Sequence, residues 1–379
     1  MGHLGKKTWV SSFICLFCAG VFAFLFWMRY TAIEEACSKR SSVGDEPLPN
    51  RAEMEKRAES KYPVLTRIRT LGGDFACHEN DEGVPVLVVF VGDIGGDPAP
   101  LPDDILSELQ KLPRLEGLHL RKLILTDKDL DQLPAFTHIQ SLTISLSKIP
   151  DNALSHLKDM THLAELDLME TGITDAGLQH LKKMSHLTNL DLSYNPISGQ
   201  GLAHLSEMHD LEYLRLEHTS LGDESLRHLS HLTNLGRLTL DGTQITDAGL
   251  PYLKDLKKLR ILNLSNTAIS SFGLAHLKGF TDLTGLFLNE TQVTDSGMTH
   301  LAGLKQLQML GLSNTKITNE GLVKLKNLKD LYYLFVYGTE VTSDGCLQLK
   351  EFIPNLQVDI VLEKPIEKGA ANPSRVPVG

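Results

Sequence analysis

Leucine, replaced once by isoleucine, returns every 24 residues along this chain: Leu115, Ile139, Leu163, Leu187, Leu211, Leu235, Leu259, Leu283, Leu307 and Leu331. Each opens the same apolar and polar pattern, L-x-x-L-x-L-x-x-T-x-I-T-D-x-G-L-x-H-L, without insertion or deletion. In the unit from Leu163 to His186, Leu166 and Leu168 alternate with Asp167, which predicts a short strand with its leucines turned inward. Ile173 and Leu178 stand at the two positions of a hydrophobic staple around Thr174, a good helix N-cap. Each unit should therefore run strand, turn, two-turn helix, turn. One unit cannot bury its apolar face alone, so ten in fixed register predict a stacked solenoid whose work is surface recognition.

The polar columns carry their own expectations. Thr171 recurs as Thr219, Thr243, Thr267, Thr291, Thr315 and Thr339, with Asn195 once; a buried side chain there must bond the backbone. Asp175 falls in the first helical turn, where a negative charge suits the dipole. Gly177 recurs as Gly201, Gly249, Gly273, Gly297, Gly321 and Gly345. A helical glycine costs about 1 kcal/mol against alanine, so its return predicts close backbone approach between units. His156, His180, His204, His228, His276 and His300 share one helix position, interrupted by Tyr252, as expected of a half-exposed helix face copied by duplication.

Outside the repeats, residues 9–28 run without a charge between Lys6, Lys7 and Arg29, long enough at about 1.5 Å per residue to span a bilayer of roughly 30 Å. This predicts an uncleaved signal anchor behind a cytoplasmic segment 1–8, with the repeats exported to the periplasm or the outside. A cleaved signal peptide with secretion is the alternative. Residues 29–83 read as a stalk and transition segment, and 84–114 as an N-terminal cap whose strand is Val84–Val91. The ten repeats fill 115–354. Leu356, Val358 and Ile360 alternate in a cap strand at 355–362, and the Pro/Gly/Lys tail 363–379 has nothing to bury.

Net charge is −10 and spread along the chain, without the basic stripe that a nucleic-acid partner requires. Five cysteines, Cys15, Cys18, Cys37, Cys77 and Cys346, form neither a disulfide framework nor a zinc spacing. The chain holds no G-x-S-x-G, no H-E-x-x-H and no Walker-type loop. Consecutive residues such as Cys77-His78-Glu79-Asn80-Asp81-Glu82 cannot all face one ion. The expectation is no enzyme, no cofactor and no metal site.

Strand, threonine ladder and I-T-D-x-G-L in one unit resemble the leucine-rich repeat proteins, over roughly residues 84–362. The unit is most similar to the cysteine-containing subtype, with threonine at the ladder position and 24 residues in place of about 26. Threonine-bearing repeats behind a membrane anchor resemble bacterial, especially planctomycete-type, proteins. Eukaryotic members of the subtype often carry an F-box where this chain has its apolar stretch. The resemblance implies an α/β fold, a right-handed solenoid or horseshoe with parallel strands on the concave face and short helices on the convex face. At about 4.8 Å per strand, the first and tenth strands lie roughly 43 Å apart, enough for a partner to lie along them.

On such a face the outward columns are uneven. They begin with His119, Arg121 and Lys122, and turn acidic through Glu165, Asp167, Glu170, Asp191, Arg215, Glu217 and Asp241. They end in Phe287, Tyr333, Phe335 and Tyr337. Aromatic residues are enriched at recognition hot spots, and an acidic stretch beside them suits a peptide or protein ligand. The aromatics could equally cover the last repeats against the cap. The expected function is a membrane-anchored repeat protein that binds a protein, or other macromolecule, on its concave face. One alternative is an envelope-organising protein without a single ligand. Another is a metal- or pH-responsive element using the histidine column, although a ladder offers zinc no converging ligand set.

Overall fold

In the computed structural model, residues 51–79, 85–92 and 97–359 are described. The segments expected to be cytoplasmic (1–8), a membrane anchor (9–28) and a tail (363–379) lie outside them. Among the described residues no helix is long and apolar enough to cross a membrane. The chain divides into two units, 1–57 and 58–379; of the first, only the opening of helix α1 (Arg51–Lys61) is described.

In the second unit, thirteen strands among the described residues form one sheet. β1 (Asp74–Glu79) is antiparallel to β2 (Pro85–Val91). The short β3 (Ala99–Pro100) pairs apart from the main sheet with β5 (Leu123–Ile124). β2 runs parallel to β4 (Leu115–Arg121), and β4 to β6 (Ser141–Ser145). Three-residue parallel strands follow: β7 (Glu165–Asp167), β8 (Asn189–Asp191), β9 (Tyr213–Arg215), β10 (Arg237–Thr239), β11 (Ile261–Asn263), β12 (Gly285–Phe287), β13 (Met309–Gly311), β14 (Tyr333–Phe335) and β15 (Gln357–Asp359). Pairing keeps the repeat in step, with Leu166 beside Leu190, Leu190 beside Leu214 and so on to Leu334 beside Val358. These leucines are buried, and each contributes about 1.5–3 kcal/mol against its neighbours.

The helical side of each unit is tighter than the two-turn α-helix that the pattern predicts. Most repeats use a 3-10 turn, as at Gly177–Leu181 and Gly273–Gly279. The reason is in the apolar spacing. Leu178, Leu181 and Met184 are all buried and stand three apart, which matches three residues per turn. Only the last repeat forms a longer α-helix, Ser343–Phe352, whose buried Cys346, Leu349 and Ile353 follow the wider α spacing.

The N-terminal cap also reaches further back than residue 84. Helix α2 (Pro63–Thr70) buries Val64, Leu65 and Ile68, and β1 buries Phe75. This pairing is tertiary, and residues 64–83 carry no repeat to announce it. Arg67 clamps α2 to the loop before the first repeat through Asp104, at 2.8 and 2.7 Å.

Candidate functional site

Two sets of side-chain bonds, one closing the turns after the strands and one tying neighbouring repeats, position the face that the strands present. At the ladder position, Thr219 donates to the Leu216 carbonyl at 2.7 Å and Thr243 to that of Leu240 at 2.6 Å. Asn195 does more. Its Nδ2 donates to the carbonyls of Leu192 at 3.0 Å and of Leu168 in the preceding repeat at 2.8 Å. Its Oδ1 accepts from the N–H of Thr171 at 3.1 Å and of Gly172 at 2.8 Å.

The second set corrects the reading of the aspartate column as a dipole charge. Each carboxylate reaches into the next repeat. Asp151 Oδ1 accepts from the Thr174 N–H at 2.7 Å and Oδ2 from its hydroxyl at 2.6 Å. Asp175 accepts from Ser198, Gly199 and Gly201. Burial alone would raise its pKa, but these bonds hold it below the usual carboxylate range. The glycine column follows from this brace, because a Cβ on Gly249 would lie 2.6 Å from Asp223 Oδ1.

At the strand exits a further acceptor is needed. Asp167 takes the Met169 N–H at 2.9 Å, Asp191 the Ser193 N–H at 2.9 Å, and Asn263 the Ser265 N–H at 3.0 Å. Asn263 closes this turn without a charge, so the fold does not require carboxylates at 167 and 191. Immediately beyond, residues including Glu170, Tyr194, His218 and Glu290 adopt left-handed φ between 54° and 59° or, for His218, 52°. Gly242 occupies the same position, and a Cβ there would strike the His218 ring at 2.4 Å.

On the strand face these constraints build a half-buried charge cluster. Arg215 Nη1 lies 3.3 Å from Asp191 Oδ2, and Nη2 lies 3.2 Å from Glu217 Oε2. Asp191 and Glu217 are buried. Burial raises the pKa of Asp191, with Arg215 pulling against it. Asp167 is pushed up to about 7, first by burial and then by Asp191. Asp241 is pushed up to about 7 by burial, Glu217 and Glu290; its one ion-pair partner among the described residues is the His218 imidazole at 3.6 Å. His218 in turn stacks on Tyr194, with centroids 4.6 Å apart.

Of the residues expected on this face, Asp167, Asp191, Arg215 and Glu217 come together here. Glu165 lies on the neighbouring outward column, half-buried and within 3.5 Å of Asn189 Nδ2. The aromatic end forms a second cluster. Tyr333 stacks on Phe335 at 6.3 Å and meets Tyr332 edge-on at 4.6 Å. Tyr333 and Tyr337 remain 44% and 46% exposed, uncovered by the described cap strand Gln357–Asp359. Phe287 is half-buried beside Gly311, where a Cβ would come within 3.0 Å of its ring.

At the N-terminal end His119 stacks on Phe90 at 4.6 Å and bonds Thr143 at 2.7 Å, and burial lowers its pKa to about 4. The reading by columns passed over His218, Thr239 and Glu290; the left-handed position after the strand was the signal that could have found two of them. Among the described residues no group of three or more His, Cys, Asp or Glu side chains could hold a metal ion. A cavity of about 400 Å³ is lined by Arg114, Glu116, Thr137, His138 and His162 and lies apart from the cluster.

Residues 161–221 and 257–317 match the family model for the leucine rich repeat. The fold is that of a leucine-rich repeat solenoid, with strands on the concave face and helical turns on the convex one. An internalin from Listeria monocytogenes matches with a TM-score of 0.53 and 19% identity, over 83% of this chain and 96% of that one. Internalin C2 of the same organism matches with a TM-score of 0.44 and 23% identity, over 62% of this chain and 84% of that one. No curated protein matches the chain.

Proposed function

We propose that the chain is a binding protein that holds a protein ligand on the concave face, between the charge cluster at Asp167–Asp241 and the aromatic end at Tyr333–Tyr337. On this reading residues 9–28 are a single-pass anchor, the repeats are exported, and the chain performs no chemistry of its own. The repeat is read as a threonine-bearing variant of the cysteine-containing subtype. The observation that carries the binding role is Asn263. It meets the need of its turn with a neutral side chain, whereas Asp167 and Asp191 meet the same need with half-buried or buried charges. Charge that the fold does not use, next to tyrosines that it leaves exposed, is what a recognition surface requires.

The test is capture of a partner from the native membrane fraction by the full chain, repeated with Tyr333, Phe335 and Tyr337 changed to alanine. The binding role predicts a single partner that the triple variant loses while its melting temperature stays within a few degrees. Equal capture by both chains, or self-association without a partner, would favour the envelope-organising reading.

A further inference from the structure

The two outward columns of the strand face change character part way along. From β7 to β10 they carry Glu165, Asp167, Asp191, Arg215 and Arg237, whereas from β11 to β14 they carry no charged side chain. An uncharged stretch of this kind suits an uncharged ligand.

Glycine sets the relief of that stretch. Register places Gly311 between Phe287 and Phe335 in one column, and Gly285 between Ile261 and Met309 in the other. Both glycines are buried, because larger neighbours lie across them. A Cβ on Gly311 would come 3.0 Å from the Phe287 ring, and one on Gly285 would come 3.3 Å from Met309 Cε. Phe287 thus leans along the sheet and stays half-buried, with part of its ring left to the concavity. Beyond it, Tyr333 and Phe335 stack with their planes 17° apart.

The spacing selects the shape of the ligand. Phe287 and Phe335 are anchored two strands apart, about 9.6 Å at 4.8 Å per strand. A polyproline II helix presents the same face every three residues, about 9.3 Å at 3.1 Å per residue. An extended strand repeats a face every ~6.8 Å and an α-helix every ~5.4 Å, and neither keeps step with that distance. A polyproline II helix also has no internal hydrogen bonds, so its carbonyls are free to accept. The hydroxyls of Tyr333 and Tyr337, both exposed beside Phe335, can donate to them.

We propose that β11–β14 hold an uncharged, proline-rich segment of the partner protein. It lies across the strands in the polyproline II conformation, with prolines three residues apart over Phe287 and Phe335. Its helix is formed before binding, so little conformational entropy is lost on docking to an aromatic surface. This inference rests on the binding role proposed above and adds the chemistry and conformation of the ligand.

The experiment titrates fluorescein-labelled hexaproline against the full chain in neutral detergent, followed by anisotropy. Hexaproline is about 19 Å long and covers the roughly 14 Å from β11 to β14. Labelled (Gly-Ser)3, (Leu-Ser)3 and cellohexaose serve as the flexible, the strand-forming and the sugar comparison. The proposal predicts binding of hexaproline, at least about tenfold tighter than any of the three. Phe287→Leu with Phe335→Leu keeps apolar volume but removes the rings. It should weaken hexaproline at least about tenfold, with the melting temperature within a few degrees. Tyr213→Leu removes an exposed ring of the same face on β9 and should leave binding within about twofold. Comparable binding of (Leu-Ser)3 or cellohexaose, or equal weakening by the two variants, overturns the proposal. If the double variant does not fold, Tyr333→Leu with Tyr337→Leu provides the same comparison. Should a natural partner be lost on the aromatic triple variant while hexaproline fails to bind, the binding role stands and the proline-rich ligand is overturned.

Discussion

Asp223 grips Thr246 of the next repeat with both carboxylate oxygens, Oδ1 accepting the backbone N–H at 2.7 Å and Oδ2 accepting the hydroxyl at 2.7 Å. Asp151, Asp175, Asp247 and Asp295 make the same pair of bonds to a threonine or serine of the next repeat; Gly199 and Ser271 interrupt the column, and at its C-terminal end Asn319 replaces the aspartate. There Oδ1 accepts the Thr342 N–H at 3.0 Å and Nδ2 donates to its hydroxyl oxygen at 2.8 Å. Hydrogen bonds to charged groups contribute about 1.5–3 kcal/mol. Asp223→Ala should therefore cost about 2 kcal/mol in urea unfolding, and Asp223→Asn about half of that. An alanine variant no worse than the asparagine one would mean that the brace carries no stability.

Gly249 is small because Asp223 fills the space beside it, and its φ of −78° would suit any residue. Gly249→Ala should destabilise by about 1–3 kcal/mol through steric displacement of that carboxylate. In the double variant with Asp223→Ala the clash has no partner. The two effects should then sum to less than their separate values by at least about 0.5 kcal/mol. Strict additivity in the double-mutant cycle would separate the glycine column from the aspartate column.

Asn195 ties two repeats together where threonine closes only its own. Asn195→Ala leaves the Thr171 and Gly172 N–H groups without their acceptor, at a cost of about 2–3 kcal/mol. Asn195→Thr should recover part of this, since a hydroxyl can repeat the bond that Thr219 makes to Leu216. The order expected in thermal melts is asparagine, threonine, alanine.

Stability should depend on pH through the concave face. Asp167 and Asp241 titrate near 7 in the folded chain and near about 3.9 when unfolded. Between those values the folded state binds more protons, so stability falls as pH rises from about 4 to about 7 and levels off above. Melting temperature should be higher at about pH 5 than at about pH 8, and Asp167→Asn with Asp241→Asn should flatten that slope. A slope of the same size in the double variant would place its source elsewhere.

The architecture was legible because every unit repeats one local solution. Leu166 and its counterparts could be placed on an inner column from alternation alone. The roles of the polar columns were harder to read. Asp175 looks like a helix-dipole residue within its own unit, and only the packed structure shows its oxygens on Ser198 and Gly201. The 3-10 turn was written in the spacing of Leu178, Leu181 and Met184, which two-turn α-helices would not bury equally. Phe75 and the antiparallel strand before the repeats had no periodic signal, since they pair only through tertiary contact.

The charge cluster lay half in view. Asp167, Asp191, Arg215 and Glu217 could be assigned to outward columns from the repeat. Their pairing depended on burial and on the reach of the guanidinium, which no spacing records. Thr239 looked like an ordinary strand residue until its neighbours closed over it.

The most direct test of the account is a photo-crosslinking amino acid placed at Tyr337 on the concave face or at Leu347 on the convex one. The two sites are comparably accessible, at 46% and 62% exposure. In native membranes the account predicts one discrete adduct from position 337 and none from position 347. Adducts of the same mass from both positions, or from position 347 alone, would contradict recognition on the concave face.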